Sequence, residues 1–110
     1  MSRHRRFERW EIPGTVVAIV KTMCADYDRR AIVIQSAQEA NADYVRINGA
    51  IDRGLSCSEE PVRRFLLEDI GSGRGYWYSP ASALLSKNAY YARKKQIIHD
   101  IAVELRLLSE

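Results

Sequence analysis

Residues 86–108 read SKNAYYARKKQIIHDIAVELRLL, and this stretch predicts the last and longest helix of the chain. The apolar residues that recur there at helical spacing are Tyr90, Ile97, Ile98, Ile101, Leu105 and Leu108. Ser86 is suited to cap the first turn, because a serine hydroxyl can accept a hydrogen bond from a backbone N–H there. Lys94 falls on the same apolar stripe. The pattern therefore predicts that the core ends near Ile97 and that the first two turns project beyond it.

Upstream of this helix, the hydrophobic pattern predicts further helices and almost no strand. One helix is expected over residues 13–36, from the stripe Val16, Val20, Met23, Tyr27, Ala31 and Ile34. Another is expected over residues 38–54, from the stripe Ala40, Tyr44, Ile47 and Ile51. The two could be the halves of a helical hairpin or parts of one long bent helix.

The middle of the chain carries strong signals for helix ends. Ser56, in a capping box, or Ser58, in a simpler cap, is expected to begin a third helix over residues 59–70. That helix would end in the glycine-rich segment 71–75. A short helix over residues 80–85 would follow, with the serine before it as its cap.

These elements predict an all-α protein with a single domain over residues 1–110. Residues 1–12 would form a basic arm and residues 13–54 a helical hairpin. Residues 58–108 would form a helix-turn-helix region that closes with the long final helix.

The net charge of +3 is unevenly distributed along the chain. Residues 1–10 contain four arginines and one glutamate, whereas residues 11–70 carry seven basic and ten acidic side chains. Residues 71–99 contain five basic residues and no acidic one. Two cationic ends on a near-neutral body predict a polyanionic partner, and double-stranded DNA is the partner we expect.

Composition and motifs favour binding over catalysis. Cys24 and Cys57 are expected to be reduced thiols of the core. His4 and His99 are too few and too far apart to predict a metal site, so no cofactor is expected. The glycines of residues 71–75 match no nucleotide-binding motif, and no catalytic spacing is present, so an enzyme is not expected. No apolar run reaches the roughly 20 residues of a membrane span and no export signal is recognisable, which predicts a cytoplasmic protein without membrane contact.

Residues 84–94, LLSKNAYYARK, together with Ile97, Ile98 and residues 101–105, IAVEL, resemble the C-terminal signature of RinA/ArpU-type phage transcriptional regulators. Proteins of that family look like sigma-factor region 4 at this end. Residues 27–30, YDRR, and residues 47–52, INGAID, are similar to the family's helical N-terminal region. The resemblance implies a phage or prophage protein in a bacterial host that binds promoter DNA and controls late genes.

Carried over to this chain, the resemblance implies a recognition helix that Ser86 caps. The residues that would line its outward face are Lys87, Asn88, Tyr91, Ala92 and Lys95, with Arg93 and Lys94 flanking it. Asn88, Tyr91 and Lys95 would then read base edges, since an asparagine amide can bind adenine bidentately. Arg74, Arg93 and Lys94 would hold phosphates and set the register.

Two further segments are candidates for contact with nucleic acid. The arginines that could form a minor-groove or phosphate-binding arm are Arg3, Arg5, Arg6 and Arg9, although a solubilising tail is the alternative. Trp77 is expected to pack under the glycine-rich loop, and stacking of residues 76–78 on unpaired bases is the alternative.

Two other functions stay open at this stage. The helical stripes of residues 16–51 could bind another helical protein, such as a subunit of RNA polymerase, or form the seam of a homo-oligomer. A small ring-forming subunit of a DNA-packaging machine is the second alternative.

Overall fold

The chain folds into α-helices joined by short connections, as the sequence predicts. A computed structural model describes residues 11–37, 39 and 41–109, and no strand occurs within these residues. The helices are α1 (Gly14–Ala25), α2 (Tyr27–Ser36), α3 (Ala42–Leu55), α4 (Glu60–Ser72) and α5 (Lys87–Glu104). Two 3₁₀ turns, Tyr76–Tyr78 and Pro80–Ala83, lie between α4 and α5. The second of them stands where a short α-helix over residues 80–85 was expected.

The helix expected over residues 13–36 is interrupted at Asp26, so the prediction of one continuous element is wrong. Asp26 has a φ of −102° and a ψ of 10°, and α2 starts at the next residue. Arg30 is buried beneath this break and donates to the Met23 carbonyl and, over 2.7 Å, to Asn48 Oδ1. The Asn48 amide in turn donates to the Tyr27 carbonyl at 3.2 Å. A side-chain network between α2 and α3 therefore satisfies backbone carbonyls at the bend.

The core is one cluster of buried residues drawn from α1, α3, α4, α5 and both 3₁₀ turns. α1 packs mainly against α4 and also touches α5, while α2 packs on α3. Among the described residues α2 contributes no apolar side chain to the buried set. The helical hairpin expected over residues 13–54 is thus formed by α2 and α3, and α1 belongs with the C-terminal half. The reason is that α1 packs closely against α4: a Cβ on Gly71 would lie 2.8 Å from the Ala25 Cα.

Both serine caps expected for α4 are wrong. Ser56 closes α3, and its hydroxyl donates to the Arg53 carbonyl at 2.6 Å. Ser58 is buried, and its hydroxyl has no hydrogen-bond partner among the described residues. Glu59 occupies the N-cap position without a side-chain cap. Because Ser56 is held in the last turn of α3, its hydroxyl turns back toward that helix and is not available to α4.

The other predicted helix ends agree better with the structure. α4 ends at Gly73, whose φ of 81° is the left-handed conformation that glycine adopts without a Cβ penalty. α5 begins at the predicted Ser86 cap but ends at Glu104, four residues before the expected end. Arg106 takes the left-handed conformation there, and the Leu107 N–H donates to the Ala102 carbonyl at 2.8 Å in a Schellman arrangement.

The two thiols have different environments. Cys24 is buried, and burial raises the pKa of its thiol to about 12, so it is neutral at physiological pH. Cys57 is exposed, which corrects the expectation that both cysteines belong to the core. It lies in the tight connection after α3, and its Sγ contacts the Gly54 carbonyl at 3.2 Å.

Candidate nucleic-acid interface

The first half of α5 presents one continuous outward face. Ser86 accepts a hydrogen bond from the Ala89 N–H at 3.2 Å, so the predicted cap is confirmed. Downstream of this cap, residues at positions one, two, five, six and nine of the helix share one side, because 3.6 residues complete a turn. These residues, here called the outer face of α5, are Lys87, Asn88, Tyr91, Ala92 and Lys95. Lys95 is half-buried and the other four are exposed. The structure therefore brings together the five residues that were expected to face outward.

The inner side of the same turns belongs to the core. Tyr90 is fully buried, and its ring lies 5.2 Å from that of Tyr76 in an edge-to-face contact. The prediction that the core ends near Ile97 and that two turns project beyond it is therefore wrong. The physical reason is that both 3₁₀ turns pack against the start of α5 and cover its inner side.

A buried carboxylate organises the contacts beneath this helix start. Asp69 of α4 is fully buried, accepts from the Tyr90 hydroxyl at 2.7 Å, and accepts from Arg74 Nε at 2.6 Å. Burial and the Asp69 hydrogen bond raise the pKa of Tyr90, which stays a neutral donor. Arg74 was expected to hold phosphate, but its guanidinium compensates this internal charge and also lies 3.8 Å from Glu68.

Lys94 lies at the boundary between the inner and outer sides of α5. Its ammonium donates to the Arg74 carbonyl at 3.2 Å and lies 5.0 Å from the centre of the Tyr90 ring. It also lies 5.6 Å from the centre of the Tyr91 ring. Burial lowers the pKa of Lys94, since the charged form loses part of its hydration there.

Arg93, the other expected phosphate ligand of α5, is paired with the start of α4. Its Nη1 donates to Glu59 Oε1 at 2.5 Å, and this hydrogen bond holds the pKa of Glu59 below its usual range. The carboxylate of Glu59 is largely exposed, so the ion pair lies at the surface beside the outer face of α5.

Tyr91 combines an exposed ring with an anchored hydroxyl. The ring is 44% exposed, and the hydroxyl accepts a hydrogen bond from the Tyr76 N–H at 3.2 Å. Because a phenol both accepts and donates, its proton is still able to reach an external acceptor.

Trp77 and Tyr78, here called the aromatic corner, are the most exposed large side chains next to α5. Trp77 is 72% exposed and Tyr78 is 82% exposed, so the expectation that Trp77 packs under the glycine-rich loop is wrong. Tyr76 takes the inward position of this 3₁₀ turn, where its hydroxyl donates to the Leu85 carbonyl at 2.8 Å. With three residues per turn, the next two side chains point away from that contact. The Lys87 ammonium lies 5.7 Å from the centre of the Trp77 ring.

A shallow groove runs along α5 beside the start of the described chain. It has a volume of about 330 Å³ and is lined by Glu11, Ile12, Val17, Tyr91, Lys94, Lys95 and Ile98. Residues 11 and 12 lie here next to the basic turns of α5. The arginine arm expected at Arg3, Arg5, Arg6 and Arg9 lies outside the described residues. The chain nevertheless enters the described structure on the side of α5 that carries Tyr91 and Lys95.

Within the described part of the chain, no group of three or more His, Cys, Asp or Glu side chains is arranged to hold a metal ion. Across the same residues, no helix combines the length and the apolar character that crossing a bilayer requires. No protein-family model matches the sequence, and no curated protein or solved structure matches it significantly.

Proposed function

We propose that this protein is a DNA-binding transcription regulator of the phage type that reads double-stranded DNA with the outer face of α5. The observation that carries the proposal is this single exposed face, which lies at the capped start of a helix and inside a segment of 29 residues without an acidic side chain. The N-terminus of a helix carries partial positive charge, which favours phosphate nearby. The resemblance of residues 84–105 to RinA/ArpU-type regulators points in the same direction.

Each residue of the outer face has chemistry suited to a groove of DNA. The Asn88 amide can pair with the N6 and N7 edge of adenine, and Lys95 can address guanine or a phosphate. Lys87 is exposed at the first turn and forms no ion pair with another described residue. The small Ala92 allows close approach between these longer side chains.

The ion pairs of Arg74 and Arg93 change how phosphate contacts are assigned. Both guanidinium groups are bound to carboxylates of α4 or its cap. By their position on the outer face, Lys87 and Lys95 take the main electrostatic role together with the N-terminal arginines. If about five phosphates are neutralised, the logarithm of the affinity should fall with the logarithm of salt concentration with a slope of about −4 to −5.

The test compares two double variants that remove the same charge. Lys87→Gln with Lys95→Gln removes two cations from the outer face. Arg46→Gln with Arg106→Gln removes two exposed cations from α3 and from the far end of α5. Fluorescence anisotropy with duplex DNA at several salt concentrations should show an affinity loss of about 100-fold for the first variant at about 0.1 M salt. Its salt slope should also be shallower by about 2.

The control should bind within about threefold of the wild type at the same salt, because its charges lie far from the outer face. Equal losses in both variants would mean that net charge alone drives binding, and the assignment of α5 would be wrong. Absence of wild-type binding at low salt would reject the DNA-binding function itself.

A second candidate function, protein interaction, is favoured by one specific observation on the opposite part of the molecule. Ile32 of α2 is 64% exposed and Val45 of α3 is 45% exposed, and α2 is covered mainly by α3. Such a surface suits a helical partner, whether a subunit of RNA polymerase or a second copy of this chain. Light scattering of the purified protein, alone and with core RNA polymerase, tests this candidate, and a ring-sized oligomer would support the packaging alternative.

A further inference from the structure

The aromatic corner lies directly beside the proposed DNA-binding face but is not needed for reading an intact duplex. Trp77 and Tyr78 expose large ring surfaces on a turn of three residues. Large aromatic side chains are costly to hydrate, and their exposure next to a binding surface marks a contact site. The two exposed rings are therefore suited to a partner with flat apolar surfaces.

The corner is held firmly in place. Tyr76 is buried and bonded to the Leu85 carbonyl, while Ser79 caps the second 3₁₀ turn by accepting from the Ala81 N–H at 3.0 Å. The Tyr91 hydroxyl accepts from the Tyr76 N–H. The backbone that carries the two exposed rings is thus held beside the outer face of α5, so that mainly side-chain rotation is left to be ordered on binding.

The corner lies within residues 71–99, which contain no acidic side chain, and next to the exposed ammonium of Lys87. This local charge favours nucleic acid over protein. The Lys87 ammonium, which lies over the Trp77 ring, is on a flexible side chain that can turn to a phosphate when a base takes its place. Stacking rings next to phosphate-binding cations is the combination by which proteins hold unpaired nucleotides.

We infer that the aromatic corner is a stacking site for unpaired bases, so that the protein prefers DNA with a gap or melted segment next to the duplex that α5 contacts. This inference rests on the proposed function, because the duplex contact brings the unpaired segment to Trp77. In an intact duplex the faces of the bases are covered by their neighbours. A locally opened duplex offers them beside a phosphate backbone, which matches the arrangement of Trp77, Tyr78 and Lys87.

The test uses the fact that the chain contains two tryptophans, Trp10 and Trp77. In a Trp10→Phe background, all tryptophan fluorescence reports on Trp77. The protein is titrated with a fully paired duplex, with the same duplex carrying a gap of three unpaired thymines, and with oligothymidine. We expect the gapped duplex to quench Trp77 and to bind about tenfold more tightly than the paired duplex.

The variants separate stacking from folding and from duplex binding. Trp77→Ala should abolish the preference for the gap while paired-duplex affinity changes by less than about threefold, and Trp77→Phe should retain part of the preference because a ring remains. Ile32→Ala, which removes a similarly exposed apolar group on α2, should leave the affinity for all three DNAs unchanged. An unchanged preference in Trp77→Ala, or a gapped duplex that binds no better than the paired one, would overturn the inference and leave the corner to a protein partner.

The three titrations distinguish the absence of a stacking site from the absence of DNA binding. Paired-duplex binding that depends on Lys87 and Lys95 but shows no gap preference would retain the function and remove the stacking site. Binding of none of the three DNAs would reject both. Quenching by oligothymidine without any duplex binding would overturn the inference as stated, because no duplex contact would deliver the unpaired segment.

Discussion

Two pairs of identical neighbours on α5, Tyr90 with Tyr91 and Lys94 with Lys95, show how differently the two sides of one helix are used. Tyr90 is fully buried and bonded to Asp69, whereas Tyr91 is 44% exposed. Lys94 donates to a backbone carbonyl, and burial lowers its pKa. Lys95 lies on the outer face with Tyr91. One step along the helix, about 100° of rotation, separates a residue on the inner side or at its boundary from a residue on the outer face in each pair.

A cationic segment therefore contains more charge than it makes available to a partner. Residues 71–99 carry five basic residues, but Arg74 and Arg93 are paired with carboxylates of α4 or its cap, and Lys94 faces partly inward. The cations on the outer face are Lys87 and Lys95. A polyanion that approaches α5 therefore meets a narrower charged surface than the sequence alone suggests.

The largest expected effect comes from removing the buried Asp69 carboxylate, which lies beneath the inner side of α5. Asp69→Ala should reduce the free energy of unfolding by about 2 kcal/mol, because Arg74 Nε loses its buried acceptor and the Tyr90 hydroxyl keeps only the Arg74 carbonyl at 3.2 Å. Denaturant titration followed by circular dichroism measures this loss. Glu68→Ala is the matched control, since Glu68 is an exposed neighbour that lies 3.8 Å from the same arginine.

The control should lose less than about 1 kcal/mol, because exposed ion pairs contribute little. A loss of similar size in Asp69→Ala would contradict the structural role assigned to the inner side. In that case Arg74 would be available to DNA, and the comparison between the two sides of α5 would fail.

Much of the fold could be predicted because the decisive signals are local. The Ser86 cap acts on the backbone of its own turn, and the glycine-rich end of α4 needs only the left-handed conformation of Gly73. The break at Asp26 was not predictable in this way. It is stabilised by Arg30 and Asn48, which lie 18 residues apart on different helices, while the apolar stripe runs through the break without interruption.

The same is true of the candidate site: its local features could be predicted, and its contacts between residues far apart in the sequence could not. The outer face of α5 agrees with the expectation drawn from the resemblance, and the burial of Tyr90 is the physical reason, since rotation along the helix turns those neighbours outward. The ion pairs could not be predicted, since Arg93 and Glu59 are 34 residues apart and meet only through the packing of α4 beside α5. Exposure of Trp77 depends on which of three consecutive aromatic residues enters the core, and the sequence pattern of a 3₁₀ turn does not decide that.

A second prediction compares the two lysines directly. Lys94→Met keeps an unbranched side chain that is one atom shorter and removes an ammonium that is partly dehydrated. We expect the free energy of unfolding to change by less than about 1 kcal/mol and DNA affinity to fall by less than about threefold. Lys95→Met should weaken DNA binding by about tenfold at 0.1 M salt, since it removes one phosphate contact. Thermal unfolding of Lys94→Met and anisotropy titrations of both variants measure these changes, and an equal loss of affinity in the two would show that Lys94 also reaches DNA.

The smallest expected effect concerns the ion pair with Glu59, which restricts the access of Arg93 to DNA. Glu59→Gln should raise DNA affinity by about threefold, because it frees the guanidinium beside the outer face and removes a charge that repels phosphate. Since Arg93 holds the pKa of Glu59 below its usual range, the pair stabilises the fold at neutral pH. That contribution is complete above the ordinary glutamate pKa and is lost as the pH falls through the lowered pKa that Glu59 has in the fold.

The matched control for this change is Glu60→Gln, which removes the same charge from the neighbouring exposed position but leaves the Arg93 pair intact. Anisotropy titrations should show a smaller gain for Glu60→Gln than for Glu59→Gln. Equal gains would mean that only net charge matters. No gain in either variant would place Arg93 outside the DNA contact, so that the inner side of α5 would extend to Arg93 and the binding surface would be limited to the outer face and the N-terminal arm.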